Sequence, residues 1–324
     1  MTVAMDDRKS RQEPAIVLLA TYDGARFLER QIDSITAQTR PVQILARDDG
    51  SSDGSLEIVR RYKGHVTVLP PDGVRRGASG AFAALLAAAP PAELVLFSDQ
   101  DDIWHHDKVA RAASALATIP DGVPGLYCSA LELVDAEERV IGRSPLWPRP
   151  PSLANALVEN IASGCTIALN RAAAQLLAAH PPPQQAIMHD WWAYLAVVAT
   201  GTVIYDPVPS ISYRIHAGNE VGLPTSRIGW LLDKIRRKLR QDSLAMLVEQ
   251  AIAFEEAFAA HLDDHQRAMI ARLVATRTPR GRLAFLGERE IHRQFSADHA
   301  ALLALVLTGK TRRSRPSPRP VQPD

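Results

Sequence analysis

Three carboxylates, Asp99, Asp101 and Asp102, follow directly after an apolar run at residues 94–97. The run has the length and composition of a buried strand. Acids clustered at the end of a strand repel one another at the edge of a sheet unless a cation or hydrogen-bond donors compensate them. The oxygen-only ligand set favours Mg²⁺ or Mn²⁺ over zinc. Considered alone, a solvated turn that caps the next helix explains these residues equally well.

Two other predicted strands also end in polar or acidic residues. Strand 16–20 leads into Tyr22 and Asp23, and strand 42–46 leads into Asp49. In a parallel sheet, ligands bind beyond the carboxyl ends of the strands. Three neighbouring strands that end in polar or acidic residues predict a polar cleft at the carboxyl edge of the sheet, and a nucleotide fits this cleft well. The base N–H and the ribose hydroxyls of a nucleotide donate to carboxylates, and a metal ion bridges acids and phosphates.

The elements that must position these residues alternate between strands and helices. Helical patterns follow the strands, and we expect the first helix to be capped by Asp23 and to run to about Gln38. This spacing predicts right-handed βαβ units and a Rossmann-like, mostly parallel central sheet flanked by helices, an α/β fold. Further along, we predict one strand over residues 126–134 and another that opens within residues 160–166 and ends near Asn170.

The composition is that of an ordinary soluble protein. The chain has 324 residues, of which 46% are hydrophobic and 23% are charged. A net charge of +1 gives no reason to expect nucleic acid as a partner. Cys128 and Cys165 lie in apolar runs, so we expect buried, reduced thiols and a cytoplasmic location. No secretory signal and no membrane-spanning run is visible, which predicts a protein that is soluble or at most peripheral.

Motifs that would indicate calcium binding or other nucleotide chemistry lack residues that they require. Residues 49–60 begin like a calcium loop, but Arg60 stands where that loop needs a bidentate glutamate. Neither G-x-G-x-x-G nor G-x-x-x-x-G-K-[ST] follows a strand. Dinucleotide redox chemistry and P-loop phosphoryl transfer therefore lose their sequence support.

Three residues of the second half have side chains suited to the predicted cleft. Asp190 stands at the start of a helical pattern, where it is either a plain N-cap or a functional carboxylate. Arg214 and His216 lie in a strand and the loop after it, residues 211–222. Either side chain alone is most often structural, whereas beside an acidic cleft either one could meet a diphosphate.

The C-terminal third changes to long helical patterns with few strand signals. A basic amphipathic helix is predicted from Trp230 to Arg240. Such a helix suits an anionic membrane surface, or it docks on the protein with its charges in solvent. We divide the chain into a disordered tail at 1–14, a catalytic domain at 15–222, a helical region at 223–308 and a basic, Pro-rich disordered tail at 309–324.

Several stretches in order resemble a known family. VLLATYDGARFLERQIDSITAQT, ILARDDGSSDGSLEIV and LFSDQDDIW resemble the family 2 inverting glycosyltransferases, which have a GT-A fold. The later NIASGCTIALN, HDWWAYL and YRIHAGNEVG are similar to the bacterial rhamnosyltransferase-like branch. The resemblance covers about two thirds of the chain, from Ala15 to Gly222, and leaves the C-terminal helices outside as an extension.

The resemblance implies a role for each residue on the donor side. Tyr22 would lie along the nucleotide base, and Asp49 would accept a hydrogen bond from the base. Asp99 and Asp101 match the family's D-x-D motif. Asp99 would contact ribose, diphosphate or metal, and Asp101 would hold the metal. Asp102 is a weaker candidate metal ligand.

The resemblance also implies how the reaction proceeds. Asp190 matches the family's catalytic base, which takes the proton of the acceptor hydroxyl while C1 of the sugar inverts. Arg214 and His216 would lie beside the leaving diphosphate, whose charge they and the metal would stabilise. Asp23 stands where the family usually has Asn, and Gly80 where an Asn is common, so details of donor contact differ here.

The leading hypothesis is a metal-dependent inverting glycosyltransferase that uses a nucleotide-sugar donor and Mg²⁺ or Mn²⁺. The resemblance favours dTDP-L-rhamnose as donor and a glycan or lipid-linked acceptor in cell-surface polysaccharide synthesis. A sugar-phosphate nucleotidyltransferase is one alternative, although TYDGARFLER makes a poor Gly-rich phosphate loop. A non-catalytic nucleotide- or glycan-binding scaffold is the other, and intact Asp99, Asp101 and Asp190 argue against it.

Overall fold

The structure is a computed structural model that describes residues 13–216 and 244–309. The predicted basic helix from Trp230 to Arg240 and nearly all of the two predicted tails lie outside these residues. So do residues 217–222, the end of the predicted catalytic domain.

Strands and helices alternate through the first two thirds of the chain, as predicted. The strands are β1 (Ala15–Thr21), β2 (Val42–Asp48), β3 (Val66–Val68), β4 (Leu94–Ser98), β5 (Ile103–Trp104), β6 (Gly125–Ser129), β7 (Glu132–Val134), β8 (Val140–Arg143), β9 (Ala168–Asn170), β10 (Thr202–Asp206) and β11 (Ile211–Arg214). The helices are α1 (Ala25–Thr36), α2 (Ser55–Arg61), α3 (Gly77–Ala88), α4 (Lys108–Leu116), α5 (Leu153–Ala156), α6 (Arg171–Ala179), α7 (His189–Thr200), α8 (Leu244–Phe258), α9 (Asp264–Val274), α10 (Pro279–Phe285) and α11 (Ser296–Thr308).

Within the described residues, seven strands form the central sheet in the order β10-β6-β9-β4-β1-β2-β3. Strand β9 runs antiparallel to both of its neighbours, and every other neighbouring pair is parallel. The prediction of a mostly parallel α/β sheet is therefore confirmed. The carboxyl ends of β1, β2 and β4 meet at one edge, as the cleft requires.

The sheet is buried on both faces because its central strands carry apolar side chains on both of them, up to the polar residues Thr21 and Ser98 that end β1 and β4. In β1, Ile16 and Leu18 belong to one core cluster, whereas Val17 and Leu19 belong to the other. Helices α3, α6 and α7 cover the first face, and α1, α2 and α4 cover the second. A strand buried on both faces reads as a continuous hydrophobic run, which is how β1 and β4 stand out in the sequence.

A smaller sheet, in the order β5-β11-β7-β8, packs beside the cleft. Its formation corrects one prediction, because the single strand expected over residues 126–134 is two strands in two different sheets. β6 joins the central sheet beside β10, and β7 pairs with β11. The strand expected to open within residues 160–166 is likewise shorter, since residues 164–166 form a 3₁₀ turn before β9.

The C-terminal helices dock on α7 through aromatic side chains. The ring of Trp192 meets those of Phe254 and Phe258, each with its centroid 5.8 Å away. All three side chains are fully buried. The helical region therefore shares one hydrophobic core with the central sheet.

The close approach of Gly201, between α7 and β10, to Pro124 can be tested by substitution. A Cβ at Gly201 would lie 2.0 Å from the carbonyl oxygen of Pro124, a backbone atom at the start of β6. We expect Gly201→Ala to lower the free energy of unfolding by about 1–3 kcal/mol through overpacking, measured by urea denaturation.

Gly142→Ala is the matched control for this prediction. A Cβ there would have Leu133 Cδ1, at 3.9 Å, as its nearest contact. We expect its free energy of unfolding to change by less than about 0.5 kcal/mol. Equal stability of the two variants would contradict the packing described for Gly201.

Candidate active site

The acidic segment after β4 contains carboxylates in very different surroundings. Asp102 is fully buried, whereas Asp99 and Asp101 are partly exposed. Burial raises the pKa of Asp102 well above its ordinary value, and the charges of Asp101 and Asp99 raise it further. Its Oδ1 accepts a hydrogen bond from the Arg214 backbone N–H at 3.3 Å, and its Oδ2 has no partner among the described residues. Asp102 thus lies beneath the cleft rather than in its opening.

A buried lysine lies next to this carboxylate. Lys108, the first residue of α4, is fully buried, and its ammonium donates to the Cys165 carbonyl at 2.6 Å. The ammonium also lies 4.4 Å from the centroid of the Trp104 ring. Burial lowers the pKa of Lys108 to about 8, while the charges of Asp102 and Asp99 act in the opposite direction. The ammonium group of Lys108 therefore offsets the negative charge of the acidic segment from beneath the cleft.

Asp101 and His216 are brought together by the small sheet. His216 Nε2 and Asp101 Oδ2 lie 2.9 Å apart, with both side chains mostly buried. The sequence places these residues more than a hundred positions apart, and β11 returns the chain to the end of β4. A carboxylate and an imidazole at this spacing are two ligands that one Mn²⁺ ion accepts.

Arg214 is anchored by protein groups rather than turned into solvent. Its Nε donates to the Asp101 carbonyl at 3.0 Å, and its Nη1 donates to the Ala136 carbonyl at 3.0 Å. Its Nη2 pairs with Glu138 at 3.2 Å, and its Cζ lies 4.6 Å from the Phe27 ring centroid. The side chain is only 3% exposed, so the guanidinium charge lies behind Asp101.

Gln100 is a functional candidate that sequence reasoning missed. Its Oε1 accepts hydrogen bonds from the Thr21 hydroxyl at 2.9 Å and the Tyr22 N–H at 2.8 Å. Its Nε2 donates to the Tyr22 carbonyl at 3.0 Å. This residue therefore ties the acidic segment after β4 to the end of β1. The middle residue of the D-x-D pattern carries no type requirement, so the sequence gives no signal for this role.

Asp49 fastens the start of helix α3 to the end of β2. Its carboxylate accepts from the Arg76 N–H at 2.9 Å and from the Gly77 N–H at 2.8 Å. Tyr22 stands nearby with 37% of its surface exposed, and the Arg75 Cζ lies 3.8 Å from its ring centroid. The predicted base-contacting residues thus share one corner of the cleft with Arg75, which the sequence did not single out.

Asp23 does not cap helix α1, which corrects the prediction. The N-cap is Gly24, which has no side chain to cap the helix, and its N–H donates to Ser55 Oγ at 2.9 Å. Asp23 has a φ of 46° in the left-handed region, which Asn and Asp tolerate better than most residues. Its Oδ1 accepts from the Ser52 N–H at 2.8 Å and so links the first two strand ends. An Asp in place of the family's usual Asn fits this conformation.

Asp190 is the second residue of α7, whose N-cap is Met188, so it is not the N-cap. Its Oδ1 accepts from the Trp191 N–H at 2.6 Å and its Oδ2 from the Gly164 N–H at 3.0 Å. Burial raises the pKa of Asp190 to about 6, although these bonds and the nearby Asn160 side chain lower it. Such a carboxylate is ionised at neutral pH yet basic enough to accept a proton.

The 3₁₀ turn over residues 164–166 joins Asp190 to the acidic segment. Gly164 bonds to Asp190, and the next residue, Cys165, has its sulfur within 4.8 Å of carboxylate oxygens of Asp99 and Asp102. Burial and the charges of both acids raise the pKa of the Cys165 thiol well above its ordinary value, which keeps it protonated. Two parts of the site that are distant in sequence are therefore neighbours in the fold.

His189, next to Asp190, packs as a neutral ring. It stacks on Phe82 with a centroid distance of 4.2 Å and meets Phe97 at 5.6 Å. Burial lowers its pKa to about 3, so the imidazole carries no charge at neutral pH. Asp190 is thus flanked by apolar groups on this side, and its burial is the first cause of its raised pKa.

The side chains of the acidic edge fit a hard divalent cation. Asp101 and His216 supply one carboxylate and one imidazole within reach of a single ion. The buried Oδ2 of Asp102 has no hydrogen-bond partner among residues 13–216 and 244–309, and three negative charges lie within one short segment. An ion at this edge would relieve their repulsion.

Comparison with known proteins agrees with this fold. Residues 16–173 match the model of glycosyl transferase family 2. The dTDP-rhamnosyl transferase RfbG of Shigella flexneri is 27% identical over 241 residues, which cover 68% of this chain and 81% of that protein. An uncharacterized glycosyltransferase of Nostoc sp. is 32% identical over 131 residues, 40% of this chain and 39% of that protein. The chain thus aligns with about two fifths of the Nostoc protein.

Among solved structures, S. aureus TarS in complex with UDP superposes with a TM-score of 0.55 at 16% identity, over 86% of this chain and 76% of that chain. TarS in complex with UDP-GlcNAc gives 0.53 at 14% identity, over 93% of both chains. Identity this low supports the fold alone. The mostly parallel sheet with acids at its carboxyl edge has the GT-A fold. Over residues 16–173 the chain carries a glycosyl transferase family 2 domain, which confirms the resemblance seen in its sequence.

Among the described residues, no helix has both the length and the apolar character needed to cross a membrane.

The bridge made by Gln100 can be tested through stability. We expect Gln100→Leu to lower the free energy of unfolding by about 1–3 kcal/mol, because it leaves three polar groups of Thr21 and Tyr22 without their partner. Gln175→Leu, at an exposed position of α6, is the control and should change stability by less than about 0.5 kcal/mol. Equal effects in the two variants, measured by urea denaturation, would contradict the bridge.

Proposed function

We propose that this protein transfers a sugar from a nucleotide-sugar donor to a hydroxyl of a glycan or lipid-linked acceptor, with inversion at C1. The observation that carries the proposal is the position of Asp190. The residue is half-buried, has a pKa raised to about 6 and is joined by one short turn to the acidic segment. A single displacement needs a base and a diphosphate-binding edge that are both close to the same sugar.

The donor would lie across the carboxyl ends of β1, β2 and β4. Tyr22 offers an exposed ring for the base, and Asp49 keeps acceptor capacity beside its bonds to α3. Asp99 would receive the ribose or the diphosphate. The diphosphate would then end near Asp101 and His216, which places the sugar between them and Asp190.

Asp190 would take the proton of the acceptor hydroxyl as that oxygen attacks C1. The bond from C1 to the diphosphate oxygen breaks in the same step, and the nucleoside diphosphate leaves with the bonding electrons. His216 and the charge of Arg214 behind Asp101 would stabilise the departing group. A Mg²⁺ or Mn²⁺ ion held by Asp101, with Asp99 and more weakly Asp102, would supply further charge to neutralise the diphosphate.

We propose dTDP-L-rhamnose as the donor sugar nucleotide. The support is the similarity to RfbG, which is described as a dTDP-rhamnosyl transferase, across 81% of that protein. A role in cell-surface polysaccharide synthesis on the cytoplasmic side, with peripheral membrane contact through the helix predicted from the sequence between Trp230 and Arg240, is part of the same proposal. Flotation with anionic liposomes tests the membrane contact, since a basic helix would bind in a salt-dependent manner.

The assignment of the base predicts a specific kinetic result. We expect wild-type protein to release nucleoside diphosphate from one donor of a panel containing dTDP-L-rhamnose, UDP-N-acetylglucosamine and GDP-mannose. The rate should rise as the pH increases through about 6, because only the ionised Asp190 carboxylate accepts a proton. We expect Asp190→Asn to lower this rate by about 10²–10⁴-fold while nucleoside diphosphate binding, measured by calorimetry, stays unchanged.

Asp121→Asn is the matched control, since Asp121 is exposed on the opposite side of the sheet. This variant should keep the wild-type rate and pH profile. Wild-type turnover by Asp190→Asn would disprove the base assignment, and no release from any donor by the wild type would count against the proposed function itself.

Metal dependence is a separate prediction. We expect EDTA to abolish nucleoside diphosphate release and MnCl₂ or MgCl₂ to restore it. Asp101→Asn should raise the metal concentration needed for half-maximal rate by about 10–100-fold, because it removes one ligand from the pair with His216. Asp121→Asn is again the control, and full activity of the EDTA-treated wild type would contradict the metal requirement.

A further inference from the structure

The helical region beyond β11 contacts the loop that leads to the catalytic base. We name residues 157–163, between α5 and the 3₁₀ turn, the base loop, and residues 291–295, before α11, the C-terminal anchor. The anchor lies outside the stretch that matches the family model, residues 16–173. Nothing in the family's donor site therefore accounts for it.

Two hydrogen bonds fix the anchor to the base loop. Arg293, only 3% exposed, donates from its Nε to the Val158 carbonyl at 3.1 Å. The Gln294 N–H donates to Glu159 Oε2 at 2.6 Å. A buried guanidinium and a charge-assisted bond are costly to break, so these contacts hold the loop firmly.

Asn155, in helix α5 just before the base loop, connects the loop to both the anchor and α7. Its Nδ2 donates to Glu159 Oε2 and to the His292 carbonyl, both at 3.2 Å. Its Oδ1 accepts from the Tyr194 hydroxyl of α7 at 3.2 Å. One side chain thus bonds to the loop, the anchor and the helix that carries the base.

The other side of Glu159 leads directly to Asp190. The next residue, Asn160, accepts from the Ala162 N–H at 3.0 Å with its Oδ1, and its side chain lies close enough to Asp190 to lower the pKa of that carboxylate. The residue directly after the loop, Gly164, donates its N–H to the same carboxylate at 3.0 Å. One group beside the base therefore belongs to the loop that the anchor holds, and a second follows it directly.

We propose that the C-terminal anchor is a positioning element of the active site, which orients Asp190 through Glu159 and Asn160. The proposal rests on the function proposed above, in which Asp190 is the base. Residues outside the family-matched stretch would then set the geometry of proton transfer, while donor binding at the ends of β1, β2 and β4 would not depend on them.

The test compares two substitutions at Glu159 in the full-length protein. Glu159→Ala removes the acceptor for Gln294 and Asn155, whereas Glu159→Gln keeps an oxygen there. We expect Glu159→Ala to release nucleoside diphosphate from the donor that the wild type uses at least about tenfold more slowly, since displacing a catalytic group by roughly 1 Å costs up to about a hundredfold. Glu159→Gln should restore most of the rate.

Two further readouts separate positioning from general damage. Affinity for the nucleoside diphosphate alone, measured by calorimetry, should match the wild type in both variants. The midpoint of the pH profile should move upward in Glu159→Ala, because the Asn160 side chain lowers the pKa of Asp190 and this effect would be weakened. Asn160→Ala should give the same slower rate and the same upward shift, and it tests the proposal even if Glu159→Ala does not fold.

Glu290→Ala is the matched control, because Glu290 pairs with Arg272 and His265 and not with the base loop. It should leave rate, affinity and pH profile unchanged. A wild-type rate in folded Glu159→Ala or in Asn160→Ala would overturn the proposal, as would a loss of nucleoside diphosphate affinity parallel to the loss of rate. An inactive wild type would instead refute the proposed function.

Discussion

Negative charge concentrated at one edge of the central sheet is the constraint on which the rest of the site depends. Asp102 is fully buried, and an uncompensated buried carboxylate costs several kcal/mol. The fold meets that cost with the Lys108 ammonium below and the Arg214 guanidinium behind Asp101. Both cations are held by carbonyl oxygens, so the compensating charge is fixed in place before any ligand arrives.

The two sides of the cleft depend on different parts of the chain. The ends of β1, β2 and β4 are interlocked by Gln100, Asp23 and Asp49, and all of these lie within the family-matched residues 16–173. Asp190 lies beyond that stretch, on a helix packed against the C-terminal aromatic cluster. The proposed donor-binding edge is therefore held together within the family-matched residues, whereas the proposed base is supported by packing outside them.

Much of the fold could be predicted because its signals are local. Apolar runs followed by acids predict β1, β2 and β4 and their shared edge. The break between β6 and β7 could not be predicted, since the apolar pattern continues across it and two different sheets supply the partners. The anchoring of Arg214 was also invisible, because its partners Ala136 and Glu138 come from another element.

The sequence by itself determined the alternation of strands and helices and the acidic edge. These follow from periodicity and residue type, which act over a few positions. Only the tertiary structure decided that Asp101 meets His216, that Asp102 is buried near Lys108 and that Gly164 and Cys165 connect Asp190 to Asp99 and Asp102. Burial and long-range pairing set these relations, and both depend on how distant segments pack.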